Sequence, residues 1–322
     1  MSAFKKYRVL LTNNDIPSRA IDLLKTECEI VMLDKFSREA CIKELLHCDG
    51  VILYGHSLVI DQELLDIIGP RLKVISQMGV GVDHIDVTYV KERKILLGNT
   101  QNALDDCVAE VAIMLALSVA HRAKEGFNKI KKQEWVGGNP GWLLGFEIRN
   151  SVVGIIGLGN IGKAVASRIN AFSPSRILYH GRTDKSYANE HNAIRTSLPS
   201  LLQDSDFVFI CCPLTNETFH LISRSSFKLM KKTAILINVS RGDIIHQEDL
   251  ITALKEGEIF GAGLDVMTPE PLPKNHPLIE LENCILTPHI GSATMQTRNQ
   301  MAEVAAKNIL AGLQGQPMPS PL

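Results

Sequence analysis

Three side chains in the last third of the sequence belong to types that together perform acid–base and anion-binding chemistry: Arg241, Glu270 and His289. An imidazole exchanges its proton near neutral pH, a carboxylate beside it favours the protonated form, and a guanidinium suits a carboxylate ligand. Reduction of a small 2-keto acid needs these functions together with a hydride donor. We therefore predict that His289 gives the proton, Glu270 orients the ring and Arg241 holds the substrate.

Each of these residues also has an ordinary structural interpretation. His289 could cap a helix, Glu270 could be a turn carboxylate between two prolines, and Arg241 could form a structural ion pair. All three, however, follow successive apolar runs, at residues 234–238, 261–266 and 284–287, and a nucleotide-type loop precedes them. Their joint occurrence beside such a loop favours the catalytic interpretation.

A glycine-rich turn connects an apolar run at residues 152–156 with a helical pattern at 163–170. In a G-x-G-x-x-G turn the first glycine permits a tight bend, the second admits a pyrophosphate, and the third allows close packing of helix and strand. The helix N-terminus adds amides and a favourable dipole. We expect dinucleotide binding by the six residues of the turn, which are Gly157, Leu158, Gly159, Asn160, Ile161 and Gly162.

The next expected strand, at residues 176–179, is followed by His180, Gly181, Arg182 and Thr183 rather than by a carboxylate. A carboxylate at this point holds the 2′-hydroxyl of NAD, whereas an arginine accommodates the 2′-phosphate of NADP. We therefore expect Arg182 and Thr183 to favour NADPH, with NADH as a second cofactor. The alternative is that Arg182 is an ordinary solvated arginine.

The scaffold that positions these residues is expected to alternate strands with helices. Apolar, β-branched runs and helical spacings such as 18–25 and 38–47 follow one another along the chain. Such alternation indicates parallel sheets covered on both faces, with the ligand crevice at the carboxyl ends of the strands. The sequence predicts an α/β fold of two doubly wound domains, with strands at 7–11, 28–33, 50–54, 73–78 and 95–97, then 152–156, 176–179, 207–211, 234–238, 261–266 and 284–287.

Bulk properties narrow the class of protein. A chain of 322 residues suits two domains, and 34 basic against 35 acidic residues offer no general attraction for nucleic acid or an anionic membrane. The longest apolar stretch, at residues 108–120, is interrupted by Glu110 and Ser118 and does not suit a membrane span. Seven cysteines without a C-x-x-C pair argue against a disulfide framework and a structural zinc site. We expect a cytoplasmic protein without a metal.

Several further motifs give the chain a specific resemblance over nearly its whole length. It resembles the D-isomer-specific 2-hydroxyacid dehydrogenase family and, within it, the glyoxylate and hydroxypyruvate reductases. Beyond the glycine loop, the motifs that carry the resemblance are Gly79-Val80-Gly81-Val82-Asp83-His84, Ser240-Arg241-Gly242-Asp243, Gly263-Leu264-Asp265-Val266, Pro269-Glu270-Pro271-Leu272-Pro273 and Pro288-His289-Ile290-Gly291-Ser292.

The resemblance implies a Rossmann nucleotide-binding domain at residues 105–291 and a discontinuous, flavodoxin-like substrate domain at 1–104 and 292–322. It implies that Arg241, Glu270 and His289 are catalytic, that a 2-keto acid such as glyoxylate or hydroxypyruvate is reduced to the D-2-hydroxy acid, and that substrate binds between the domains. The implied nicotinamide-side residues are Pro213, Asn238, Val239, Ser240, Asp265 and Gly291. The implied substrate residues are Val80 and Gly81, through their amides, with Arg241, His289, Ser292 and Trp142.

The resemblance also implies a homodimer joined largely through the nucleotide domain. Trp142 resembles a tryptophan at that contact, either near the neighbouring active site or as a buried anchor. Two other functions remain open: a 3-phosphoglycerate dehydrogenase-like enzyme, which would want a basic cluster and often an added regulatory domain, and a nucleotide-sensing corepressor on the same fold, which would usually carry long disordered tails. The short chain with a complete catalytic set favours the reductase.

Overall fold

The computed structural model describes residues 6–55, 58–138 and 141–322. They form two compact units, one made of residues up to Leu104 together with Ala293–Leu322, the other of Asp105–Ser292. The strands are β1 Tyr7–Leu11, β2 Cys28–Met32, β3 Gly50–Leu53, β4 Val74–Gln77, β5 Leu96–Gly98, β6 Val152–Ile156, β7 Arg176–His180, β8 Ala193–Arg195, β9 Phe207–Ile210, β10 Ile235–Asn238, β11 Gly261–Leu264 and β12 Cys284–Leu286. The α-helices are α1 Ser18–Leu24, α2 Arg38–Leu45, α3 Gln62–Ile68, α4 Val87–Glu92, α5 Asp105–Ala120, α6 Ala123–Lys131, α7 Asn160–Asn170, α8 Leu198–Asp204, α9 Arg224–Phe227, α10 Gln247–Glu256, α11 Pro277–Glu280 and α12 Met295–Leu313.

The first unit contains a five-stranded sheet with the order β2-β1-β3-β4-β5, in which all neighbouring strands are parallel. This is the flavodoxin-like order. Strand β3 is buried along its whole length, as expected of a strand covered on both faces. Leu10, Val51, Leu65 and Ile75 belong to the core that this sheet forms with its helices.

Helix α12 packs against α1, β3 and β4 of the first unit. Its buried face is built largely of small or compact residues, including Ala302, Ala305 and Ile309. Gly312 allows especially close approach, because a Cβ there would lie 2.6 Å from Val74 Cγ2. The helix therefore completes the sheet's covering layer from a distant part of the chain, a position that periodicity alone did not predict.

The second unit contains a seven-stranded parallel sheet with the order β12-β11-β10-β9-β6-β7-β8. Counted from β8, the first six strands have the order β8-β7-β6-β9-β10-β11, which is the Rossmann order 3-2-1-4-5-6. Helix α5 lies on this sheet and packs against α7, β10 and β11. Gly261 and Gly263 allow this contact, since a Cβ would lie 2.6 Å from Val119 Cγ1 and 2.8 Å from Leu115 Cβ, respectively.

The predicted fold class, two parallel-sheet α/β domains, is confirmed. Three local expectations differ from the structure. Strand β8 was not predicted, because it has three residues, only one of them buried, and lies at the sheet edge. Helix α7 begins at Asn160 rather than at residue 163, since the amide of Lys163 already bonds to the carbonyl of Gly159 at 2.8 Å. Ser292 falls in the second unit, one residue beyond the expected boundary.

Among the described residues, none of the helices combines the length and the apolar character that crossing a lipid bilayer requires.

Candidate active site

His289 and Glu270 form a direct hydrogen-bonded pair in the second unit. The Nδ1 atom of His289 lies 2.8 Å from Oε2 of Glu270. Glu270 lies in the turn after β11 and His289 in the loop after β12, two adjacent parallel strands whose carboxyl ends meet at one edge. The side chain of His289 is 38% exposed and that of Glu270 is 35% exposed. The pair is therefore accessible to a small molecule from the edge where ligands bind in this class of sheet.

The carboxylate of Glu270 is held in its ionised form. Burial alone would raise its pKa, but the hydrogen bond with His289, the amide of Met267 at 3.0 Å, and the charges of His289 and Arg241 together lower the pKa below its ordinary value. A carboxylate next to Nδ1 fixes the tautomer in which Nδ1 carries a hydrogen and Nε2 faces away from Glu270.

Arg241 lies in the loop after β10 and within electrostatic range of Glu270, since its charge contributes to lowering the pKa of that carboxylate. Its Nη1 donates to the carbonyl of Ser240 at 2.8 Å, which orients the guanidinium. The next residue, Gly242, lets the loop after β10 contact the turn after β11 closely, because a Cβ at Gly242 would lie 2.3 Å from the carbonyl carbon of Met267. The structure thus brings the three predicted catalytic residues to the same edge.

The loop that carries His289 is held in place by hydrogen bonds to the buried carboxylate of Asp265, which is 1% exposed. Asp265 Oδ1 accepts from Thr287 Oγ1 at 2.6 Å and from the amide of Ile290 at 2.8 Å, and Oδ2 accepts from the amide of Gly291 at 2.7 Å. Burial raises the pKa of Asp265 despite these hydrogen bonds. Both carboxylate oxygens thus support the catalytic loop, a role that the sequence-based assignment of Asp265 to the nicotinamide side did not include.

The glycine loop has the shape required for an anion at the start of α7. Gly157 has a φ of +93°, and a Cβ there would lie 2.6 Å from the amide nitrogen of Cys212. At Gly162 a Cβ would lie 2.2 Å from the carbonyl oxygen of Gly157. At Gly159, the N-cap of α7, no described atom lies within 4 Å of a Cβ position, so the space beside the helix N-terminus is open. These residues fit a dinucleotide pyrophosphate.

The loop after β7 carries Arg182 and Thr183 on the surface. It is held by Arg195, whose Nη2 donates to the carbonyls of Gly181 and Arg182, each at 3.0 Å. Arg195 also pairs with Asp184 at 3.1 Å. The sequence did not point to Arg195, because it lies on the unpredicted strand β8. The length of the segment between β7 and β9 could have indicated it, since a Rossmann unit places a further strand within that segment.

The predicted nicotinamide-side residues lie at the carboxyl ends of β9, β10, β11 and β12. The hydroxyl of Ser240 donates to the carbonyl of Cys212, and the amide of Ser240 donates to Asn238 Oδ1 at 3.0 Å. Val239 and Gly291 are buried, whereas Pro213 is exposed. Gln247, which was not singled out from the sequence, accepts from the amide of Thr268 at 3.0 Å and donates to its carbonyl, and so braces the turn that carries Glu270.

The predicted substrate residues are divided between the two units. Val80 and Gly81 lie in the loop after β4 of the first unit, whereas Ser292 and Trp142 belong to the second. Trp142 is 48% exposed, and its carbonyl accepts from Arg122 Nη1 at 2.7 Å. Within the described parts of the chain, no group of three or more His, Cys, Asp or Glu side chains is arranged to hold a metal ion.

The family model for the D-isomer specific 2-hydroxyacid dehydrogenase NAD-binding domain matches residues 113–291. The chain belongs to the D-isomer specific 2-hydroxyacid dehydrogenase family. The resemblance predicted from the motifs is thereby confirmed, and with it an NAD(P)-dependent dehydrogenase.

Named relatives of this dehydrogenase support its placement among the glyoxylate reductases. It is 48% identical over 264 residues to the glyoxylate reductase/hydroxypyruvate reductase of Homo sapiens, covering 82% of this chain and 80% of the relative. It is 40% identical over 323 residues to the glyoxylate reductase of Pyrococcus horikoshii, covering 98% and 95%. A solved NADPH-dependent glyoxylate/hydroxypyruvate reductase from Sinorhizobium meliloti, in complex with NADP and malonate, has a TM-score of 0.88 at 29% identity, covering 99% of this chain and 97% of that one.

Proposed function

We propose that this dehydrogenase reduces glyoxylate or hydroxypyruvate to the D-2-hydroxy acid with NADPH, and that His289 donates the proton. The observation that carries the proposal is the 2.8 Å pair of His289 and Glu270 at the carboxyl ends of adjacent strands. The human and Pyrococcus horikoshii relatives, named as glyoxylate reductases, support the substrate class.

The residues of this chain divide the work as follows. The ionised carboxylate of Glu270 accepts from Nδ1–H of His289, so that in the protonated imidazolium Nε2–H is left for the substrate. That proton passes to the ketone oxygen, and the neutral ring keeps its hydrogen on Nδ1. Arg241 binds the substrate carboxylate and polarises the carbonyl group, and the amides of Val80 and Gly81 bind that same carboxylate. When bound, the nicotinamide supplies the hydride. The glycine loop holds the pyrophosphate at the N-terminus of α7.

The preference for NADPH rests on the loop after β7. Arg182 is exposed there, and its positive charge contributes to lowering the pKa of Glu217, after the hydrogen bonds of that carboxylate to Thr215 and to its own amide. A cation at this point favours the additional phosphate of NADP over the hydroxyl of NAD. The Sinorhizobium meliloti relative, which was solved with NADP, supports this choice.

The test is a substrate panel with both cofactors. Purified protein is mixed with glyoxylate, hydroxypyruvate, pyruvate or 3-phosphohydroxypyruvate, and the oxidation of NADPH or NADH is followed by the absorbance of the reduced nicotinamide. We expect the highest kcat/KM with NADPH and one of the first two acids. Failure of both of those acids with either cofactor would overturn the proposal, and a preference for the phosphorylated acid would favour the phosphoglycerate dehydrogenase alternative.

We also propose that the protein is a homodimer joined through the second unit. Helix α6 and the segment after it expose a set of large apolar side chains, which we call the α6 patch: Phe127, Ile130, Trp135, Val136, Trp142 and Leu144. The helix and the segment at 141–143 are in contact, since a Cβ at Gly126 would lie 3.3 Å from Leu143 Cδ2. Large apolar side chains exposed along one helix and the segment after it are typical of an interaction site, and the family resemblance points to a second copy of the chain as the partner.

The dimer is tested by analytical ultracentrifugation at micromolar concentration. Wild type should sediment as a dimer. Val136 is 94% exposed, so Val136→Glu costs no packing within the chain and should give a folded monomer, because it places a charge in an apolar contact. A monomeric wild type, or a fully dimeric Val136→Glu protein, would argue against this interface.

All seven cysteines are free thiols, and six of them are buried. Free thiols persist where glutathione and thioredoxin keep them reduced. We therefore propose a reducing compartment, the cytoplasm, as the site of action. Fractionation of cells that express the protein tests this, and recovery of the active protein only from an oxidising compartment would contradict it.

A further inference from the structure

The first unit contains a cluster of buried polar residues that the catalytic mechanism does not use. Asn99, Asn308 and Ser76 are each 0% exposed, and Asn308 Nδ2 lies 3.3 Å from Ser76 Oγ and 2.9 Å from the carbonyl oxygen of Asn99. Burying polar side chains is costly unless each is hydrogen-bonded. A cluster this deep therefore calls for an explanation beyond packing.

One end of the cluster contacts the loop after β4 from behind. Asn99 Nδ2 donates to the carbonyl oxygen of Val80 at 3.0 Å, and the amide of Thr100 donates to the carbonyl oxygen of Gly79 at 3.0 Å. A trans peptide group is planar, with its C=O and N–H pointing in opposite directions. Fixing the carbonyl of Val80 therefore fixes the amide of Gly81, and fixing the carbonyl of Gly79 fixes the amide of Val80. Both amides are aimed away from Asn99 and Thr100.

The orientation of the Asn99 amide group is itself determined. Its Oδ1 accepts from Ser320 Oγ at 3.0 Å and from the amide of Gln101 at 3.3 Å. Two donors on one side leave the Nδ2 group for Val80. The side chain thus has one orientation that satisfies all of its hydrogen bonds.

The other end of the cluster is the segment at residues 317–322. The carbonyl oxygen of Ser320 accepts from the backbone amide of Asn99 at 3.1 Å, and the backbone amide of Ser320 donates to Asn308 Oδ1 at 3.0 Å. Pro321 forms an antiparallel bridge with Gly98. Gly98 is required for this contact, because a Cβ there would lie 2.4 Å from Met318 Cε and 2.8 Å from the carbonyl oxygen of Ser320. The segment therefore packs directly on β5.

We propose that Asn99, held by Asn308 and Ser320, is a positioning residue that aims the amides of Val80 and Gly81 at the carboxylate of the substrate. The segment at 317–322 is then a support of the substrate site, although it follows helix α12 and lies 221 positions along the chain from Asn99. This inference rests on the proposed function, in which those two amides bind a 2-keto acid.

The experiment compares Asn99→Asp, Ser320→Ala and Ser320→Thr with wild type. Asn99→Asp keeps the shape but places an oxygen against the carbonyl of Val80, which repels it and turns the loop. We expect the KM for glyoxylate and the inhibition constant of malonate to rise about tenfold or more in this variant. Ser320→Ala should raise both about threefold through a less constrained Asn99, and Ser320→Thr, which keeps the hydroxyl, should restore them. The kcat and the Kd for NADPH should remain within about twofold.

Asn283→Ala is the matched control, because Asn283 in the second unit also donates to two backbone carbonyls, those of Leu254 and Phe260, at 3.1 and 3.3 Å. A loss of stability there should leave the KM for glyoxylate unchanged. If Asn99→Asp fails to fold, Ser320→Ala decides the question, since Ser320 is only half-buried. An unchanged KM in the folded variants, with an active wild type, would refute the positioning role alone. An inactive wild type would instead remove the proposed function.

Discussion

Asp265→Asn is the substitution that most sharply separates support of the catalytic loop from support of the fold. The carboxylate of Asp265 accepts three hydrogen bonds, from Thr287 Oγ1 and the amides of Ile290 and Gly291. An asparagine keeps one acceptor oxygen. Its best orientation retains the first two bonds and turns an NH2 group toward the amide of Gly291, so that two donors face each other beside His289.

The expected magnitudes follow from this geometry. Losing one hydrogen bond to a carboxylate costs about 1.5 to 3 kcal/mol. Removing a buried charge recovers part of that cost, because burial raises the pKa of Asp265 and so penalises its ionised form. The net loss should be about 1 to 2 kcal/mol, a decrease in Tm of roughly 2 to 8 °C for a unit of this size. A shift of His289 by about 1 Å should lower kcat about 100-fold.

The assay measures Tm and NADPH oxidation for Asp265→Asn beside Asp206→Asn. Asp206 accepts from the amide of Val152 at 2.8 Å and pairs with Lys231 at 2.7 Å, at the opposite edge of the same sheet. It should lose comparable stability while keeping its kcat. Equal losses of kcat in both variants would show that a general loss of stability is responsible. Full activity of Asp265→Asn would refute the reasoning outright.

Three further predictions concern the cofactor loop and the acid stability of the site. In Gly159→Ala the new Cβ meets no described atom within 4 Å, so the Tm should stay unchanged, but the methyl group fills the space expected for the pyrophosphate and the Kd for NADPH should rise about tenfold or more. In Gly162→Ala the new Cβ lies 2.2 Å from a carbonyl oxygen, so this variant should lose stability. Calorimetry measures the Tm of both variants, and fluorescence titration measures the Kd. Arg182→Ala should raise the KM for NADPH about tenfold and leave that for NADH unchanged, as steady-state kinetics would show. Because its pKa is lowered, Glu270 contributes stability above its ordinary value of 4.5 that is lost as pH falls through the lowered pKa. His289→Gln removes the hydrogen bond and the charge of His289 that lower this pKa, so the decrease in Tm between about pH 7 and pH 3 should be smaller than in wild type; equal decreases would contradict this.

The parts of the molecule that sequence predicted well are those written in local patterns. The strand at Val152–Ile156 followed by glycines and a helix is a short-range signal, because the pattern that identifies it lies within a few consecutive residues. The positions of Glu270 and His289 after adjacent parallel strands predicted that they would meet, and the structure places them in contact.

The parts that sequence could not predict depend on contacts between distant positions. Asn99 and Asn308 are 209 positions apart, and neither lies in a motif that identifies its partner. Strand β8, which carries Arg195, is too short and too exposed to produce an apolar run. The predicted role of Asp265 was incomplete for the same reason, because the groups that donate hydrogen bonds to its carboxylate lie 22 to 26 positions further along the chain.

The most direct test of the central claim is a single-turnover measurement on His289→Gln. Enzyme saturated with NADPH is mixed with glyoxylate in a stopped-flow instrument, and cofactor binding is followed by fluorescence and hydride transfer by absorbance. We predict unchanged NADPH binding together with hydride transfer slower by about 100-fold or more, because the glutamine amide is not an acid and cannot give a proton to the ketone oxygen. Hydride transfer at the wild-type rate in this variant would show that His289 is not the proton donor.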